Sequence, residues 1–97
     1  MPHFALLMKL TNQGAKEIKK APERIEQGMK AFEKTGGKMI GFYAAMGEYD
    51  YISIGEAPSD EAATTFSLGL CSLGMVKTTT LRIFTKEEFT QMVKKLP

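Results

Sequence analysis

Ninety-seven residues, 43% hydrophobic and 25% charged, are enough for one soluble globular domain with a modest core. The single cysteine, Cys71, excludes an internal disulfide and a cysteine metal cluster, and with no export-type segment it makes a reducing cytoplasm the expected setting. The net charge of +2 joins a basic stretch over 9–38, an acidic stretch over 48–61 and a basic stretch over 77–97, a balance that excludes general nucleic-acid binding because a phosphate surface needs an uncompensated basic face.

The apolar run Phe4–Met8 is short, is broken by Lys9 and follows no basic region, so it reads as a buried strand and not as a leader or a membrane span. In the strand His3–Leu10, Phe4, Leu6, Met8 and Leu10 fall on one face and Ala5 and Leu7 on the other, which predicts a central position covered on both sides. Thr11-Asn12-Gln13-Gly14 then offers Thr11 or Asn12 as a helix cap. Ile18, Ala21, Ile25, Met29 and Phe32 recur at helical spacing, and Pro22 within them predicts an interruption near Ala21 with a restart at Pro22. Gly36-Gly37 ends that helix.

Lys38–Met46 is the second predicted strand, with Ile40, Phe42 and Ala44 on one face and Met39, Tyr43 and Ala45 on the other. A turn at Gly47-Glu48 leads to an antiparallel third strand, Tyr49–Ala57, apolar at Ile52 and Ile54 and more polar at Tyr51, Ser53 and Gly55. Pro58-Ser59-Asp60-Glu61 starts a helix with a cap hydroxyl and dipole-complementing acids. Its predicted buried stripe is Ala62, Ala63, Phe66, Leu70 and Leu73, with Gly74 as the stop; Leu68 and Cys71 on the other side hint at a second contact surface. Met75–Phe84 is a β-branched edge strand, and Thr85-Lys86-Glu87-Glu88 has capping-box spacing for a short amphipathic helix carrying Phe89, Met92, Val93 and Leu96.

The order β-α-β-β-α-β plus a short C-terminal helix predicts an α+β, ferredoxin-like domain over 1–97, its four-stranded antiparallel sheet carrying both main helices on one face. The other face then needs a cover. Packing two such sheets together, in a homodimer or a multiple of dimers, supplies one.

The chain resembles the GYD family of the dimeric α/β-barrel, ferredoxin-like group. The resemblance rests on Leu7-Met8-Lys9-Leu10-Thr11-Asn12-Gln13-Gly14, Ala21-Pro22-Glu23-Arg24, Gly36-Gly37-Lys38, Gly47-Glu48-Tyr49-Asp50, Glu56-Ala57-Pro58-Ser59-Asp60-Glu61-Ala62 and Lys77-Thr78-Thr79-Thr80-Leu81-Arg82. Glu48 interrupts the hairpin motif of Gly47, Tyr49 and Asp50 that names the family. The resemblance implies the fold, homo-oligomerisation and an intracellular setting, and it implies no common reaction.

The residues nominate little chemistry. His3 is the one histidine, which leaves no His pair for catalysis or metal, and no cofactor or metal is expected. Glu48 and Asp50 are separated from Glu56, Asp60 and Glu61 by a strand of roughly 20 Å, too far for one acid/base pair. Asp50 at the hairpin base suits backbone N–H groups, Arg82 or a lysine. Cys71 lacks a basic neighbour in sequence, and the glycines form no phosphate-binding loop. Tyr49 and Tyr51 have the placement of aromatics on base-stacking strands but are flanked by acids, which argues against RNA.

The remaining constellation is Tyr43, Tyr51, Ser53, Thr78, Thr80 and Arg82, with His3 nearby: on the sheet face away from the helices these would either line a pocket for a small organic anion or fill a dimer interface. Arg82 would anchor that pocket, paired with Asp50, Glu48, a carboxylate of a second copy or a ligand. The functional expectation is a small homo-oligomeric protein with a ligand site between sheet faces. The alternative is a cofactor-free oxygenase or isomerase, and the enzyme question stays open.

Overall fold

A computed structural model describes residues 1–97. Its elements are β1 (His3–Leu10), α1 (Asn12–Lys16), a 3₁₀ turn (Ile18–Lys20), α2 (Ala21–Lys34), β2 (Lys38–Ala44), β3 (Tyr51–Glu56), α3 (Asp60–Ser72), β4 (Val76–Ile83) and α4 (Lys86–Lys94). The four strands form one antiparallel sheet in the order β2-β3-β1-β4, the predicted ferredoxin-like arrangement. β1 is paired on both sides, and its Phe4, Ala5, Leu6 and Met8 are buried, as a strand apolar on both parities requires. No helix is long and apolar enough to cross a membrane.

The local signals act where they stand. Thr11 Oγ1 accepts the Gly14 N–H at 3.0 Å and caps α1; Ser59 Oγ accepts the Ala62 N–H at 3.1 Å and caps α3. The pattern breaks before Pro22, and α2 restarts with that proline in its first turn. Gly36, at φ +91°, takes the left-handed conformation just beyond α2.

Three expectations need correction. The connection between β2 and β3 is not a two-residue turn at Gly47-Glu48 but the longer Ala45–Asp50 segment. Asp50 is diverted to β1: its N–H donates to the Met8 carbonyl at 2.8 Å, and its carboxylate accepts the Leu10 N–H at 2.8 Å. Within β2, a bulge between Met39 and Gly41 breaks the alternation. Met39 therefore joins Phe42 on the helix side, while Tyr43, opposite Ile52, takes the outer side. On α3, the expected Ala63 is seated on the sheet, but it is joined there by Ser67 from outside the predicted stripe, with the Ser67 hydroxyl 2.6 Å from that of Thr80. Leu73, assigned to the buried stripe, is 67% exposed.

The core gathers at the His3 end of the sheet. Phe4, Phe32, Ala57 and Ala63 form it, with Met39, Ala62 and Phe66 packed alongside. A Cβ on Gly55 would sit 3.0 Å from the Phe32 ring, and one on Gly37 would sit 2.7 Å from it. Those glycines make room for the ring, which meets Phe66 at 4.9 Å between centroids. α2 lies along β2 and α3 along β4; the two helices touch through the phenylalanines and otherwise leave the middle of the sheet uncovered.

Candidate functional site

In an antiparallel sheet, residues directly opposite each other share a face. The β1 residues Phe4, Leu6 and Met8 point to the helices, so their partners Gly55, Ser53 and Tyr51 on β3 and Arg82, Thr80 and Thr78 on β4 point there too. This divides the constellation nominated from sequence. Tyr51, Ser53, Thr78, Thr80 and Arg82 lie on the helix side; Tyr43 and His3 lie on the outer face with Ala5, Leu7, Ile52 and Ile54. Parity alone put the threonines and Arg82 together, but only the register across three strands says which face that is.

The helix-side residues are divided again by α3. Thr80 is held by Ser67, and Thr78 lies 3.3 Å from the Cys71 sulfur, both beneath the helix. Tyr51 and Ser53 instead border a groove of about 890 Å³ between α2 and α3, floored by Leu6, Met8 and Phe42. Its walls carry Ile25 and Met29 from α2 and Phe66 and Leu70 from α3. Most of this lining is apolar; the Tyr51 ring is 5.2 Å from that of Phe42. Helical spacing assigned Phe66, Leu70 and Leu73 to the core; Phe66 does pack there as well as bordering this opening, whereas Leu70 and Leu73 wall it. A signal was available: Gly28 and Gly69 interrupt helix interiors without ending them.

Arg82 does not line this groove. Its Nη1 donates to the backbone carbonyls of Ile83 and, at 3.4 Å, His3, and its guanidinium lies 4.3 Å from the centre of the Phe84 ring. Neither Asp50 nor Glu48 reaches it, because both belong to the opposite end of the sheet; Glu48 lies 3.4 Å from the ammonium of Lys9. Tyr49 sits under that same ammonium, 5.4 Å from ring centre to nitrogen. The hairpin motif thus closes the sheet end, with Gly47 at φ +99° making the bend.

His3 Nε2 is 3.7 Å from the Glu56 carboxylate across the strand pair, and its Nδ1 is buried without a partner. No three His, Cys, Asp or Glu side chains gather closely enough to hold a metal ion. The outer face is bare of helices and semi-apolar, with Tyr43 58% and Leu81 42% exposed.

Comparison with known proteins gives two findings. The GYD domain family matches residues 4–93. A protein of Thermus thermophilus, named glutamine synthetase and cystathionine beta-lyase binding protein, is 38% identical over 82 residues, which is 84% of this chain and 86% of that protein.

Proposed function

We propose, for a chain that belongs to the GYD domain family, a binding function: it is a small protein that docks on other proteins, as a homo-oligomer assembled through its outer sheet face. The observation that carries this reading is the 38% identical Thermus protein, matched over most of both lengths and named for binding two enzymes. The surface supports the homo-oligomer. A sheet face with no helix over it, apolar at Leu7, Ile52, Ile54 and Leu81 and aromatic at Tyr43, is the kind of patch that a second protein surface covers.

The small-ligand expectation loses its shared cradle, since its six residues, His3, Tyr43, Tyr51, Ser53, Thr80 and Arg82, divide between two faces of the sheet. The oxygenase or isomerase alternative needs one of His3, Tyr43, Tyr51 or Arg82 beside a bound aromatic, and nothing in the geometry favours it over docking.

The test is direct binding of the purified chain to purified glutamine synthetase and cystathionine beta-lyase from the same source, followed by calorimetry. Saturable binding to either enzyme is the expected result. No binding to both at concentrations up to roughly 100 µM, the range of weak specific complexes, would overturn the reading.

A further inference from the structure

Two features of this chain lack a partner and are complementary. The first is α4, whose Phe89, Met92 and Val93 form one apolar stripe at helical spacing, with Leu96 just beyond its end. No other element packs broadly against it, and Phe89 and Leu96 are 61% and 69% exposed. The second is the apolar groove between α2 and α3. We propose that α4 of one copy lies in the α2–α3 groove of a second copy, and that the exchange is reciprocal. This inference does not depend on the enzyme-docking reading.

Size, position and wall chemistry select this occupant. The nine residues of α4 make a helix of roughly 14 Å, and the groove runs along α3 from Ala62 to Leu73, roughly 17 Å at the helical rise. The chain's own α4 is at the wrong end. It starts just after Ile83, which pairs with His3, whereas the groove opens toward Leu10, Met75 and Val76 at the far end of the same strands, roughly 24 Å away. The Phe32–Phe66 contact closes the groove on the near side.

The walls carry the strongest observation. Gly28 and Gly69 sit inside α2 and α3, line the groove, and would each place a Cβ in open space. An interior helix glycine is destabilising against alanine, and no close neighbour within the chain requires either one. A second helix approaching both walls does require them, because glycine admits a close backbone neighbour. An amphipathic helix in an apolar groove is also an established mode of recognition, and the reciprocal version is an isologous exchange.

Two measurements test this together. Sedimentation equilibrium is run on the wild type, Gly28→Leu and Gly69→Leu, with circular dichroism to verify the fold. Both variants should fold, since a Cβ at either position meets no atom of its own chain and the side chain points into the open groove, and each should weaken the groove-dependent association by roughly thirtyfold or more, as loss of a central contact does. In a Cys71→Ser background, chains carrying Phe89→Cys are mixed with chains carrying Leu73→Cys and oxidised. A mixed disulfide dimer in preference to either like pair is the expected product. Unchanged association of both folded glycine variants, absence of the mixed dimer, or a small molecule found occupying the groove by native mass spectrometry would each overturn the proposal. Should a glycine variant fail to fold, the mixed disulfide decides.

Discussion

Asp50 makes three contacts: its carboxylate on the Leu10 N–H and its own N–H on the Met8 carbonyl tie the β2–β3 connection to β1, and its carbonyl on the Ala45 N–H at 2.9 Å closes the connection on itself. Only the first depends on the side chain. Asp50→Ala should leave the Leu10 N–H without its acceptor and destabilise the chain by about 1–3 kcal/mol in urea denaturation, whereas Asp50→Asn, which keeps an oxygen there, should lose less. Gly14 shows a second single-residue constraint. A Cβ there would stand 2.1 Å from the Met75 carbonyl, so α1 passes the start of β4 at backbone distance. Since that neighbour is main chain and cannot rotate away, Gly14→Ala should lower stability by about 1–3 kcal/mol, the usual cost of overpacking, with the melting midpoint as readout. The sequence showed both residues as turn and cap elements but not what they approach, because Leu10 and Met75 are brought there by sheet pairing.

Helix α4 depends on its own ends more than on packing. Thr85 Oγ1 accepts the Glu88 N–H at 3.1 Å, and the Glu88 carboxylate accepts the Thr85 N–H at 2.9 Å, a complete capping box. That backbone N–H holds the Glu88 carboxyl below the usual glutamate range against the opposing effect of desolvation, assisted by the Thr85 hydroxyl and the charges of Arg82 and His3. A folded pKa below the unfolded value means a contribution fully present above the ordinary glutamate value of about 4.3 and lost as pH falls through the folded pKa. NMR amide shifts of residues 86–94 should therefore move toward random coil on acidification below that value, and Glu88→Gln should remove this pH dependence. The capping box was legible from the spacing of Thr85 and Glu88 alone, because its geometry is local. The full seating of α3 was not: Ala63 lay on the predicted stripe, but Ser67 reaches the sheet only once Thr80 lies beneath it.

For the whole molecule, an uncovered outer sheet and an unfilled groove are proposed as two separate contact surfaces between copies, and two such two-fold contacts are consistent with an assembly in multiples of dimers. Tyr43→Glu places a charge on the outer face at a position exposed in the single chain, and light scattering should show a smaller assembly still held through α4. Met92→Glu should do the converse and leave sheet-paired dimers. A stable monomer of the wild type at micromolar concentration would contradict both. Leu68→Glu, at a position 65% exposed and outside either surface, should leave mass unchanged and stability within about 0.5 kcal/mol.

The order and type of the strands and main helices, the central place of β1, the break before Pro22 and the caps at Thr11, Ser59 and Thr85 all followed from residue spacing, because each rests on alternation or on contacts within a few positions. Family membership followed from short motifs spread along the chain and is supported by the match over residues 4–93. Tertiary structure alone decided which face each strand parity occupies. A bulge beside Ile40 and a polar strand face packed beneath the helices reversed the sequence expectation at Met39, Tyr51 and Ser53. The groove was likewise undetermined by sequence, since an apolar helical stripe reads the same whether it meets a neighbouring helix or stands apart from it. Where α2 and α3 sit is set by Phe32, Phe66 and the small residues beneath them, contacts between positions far apart in the chain.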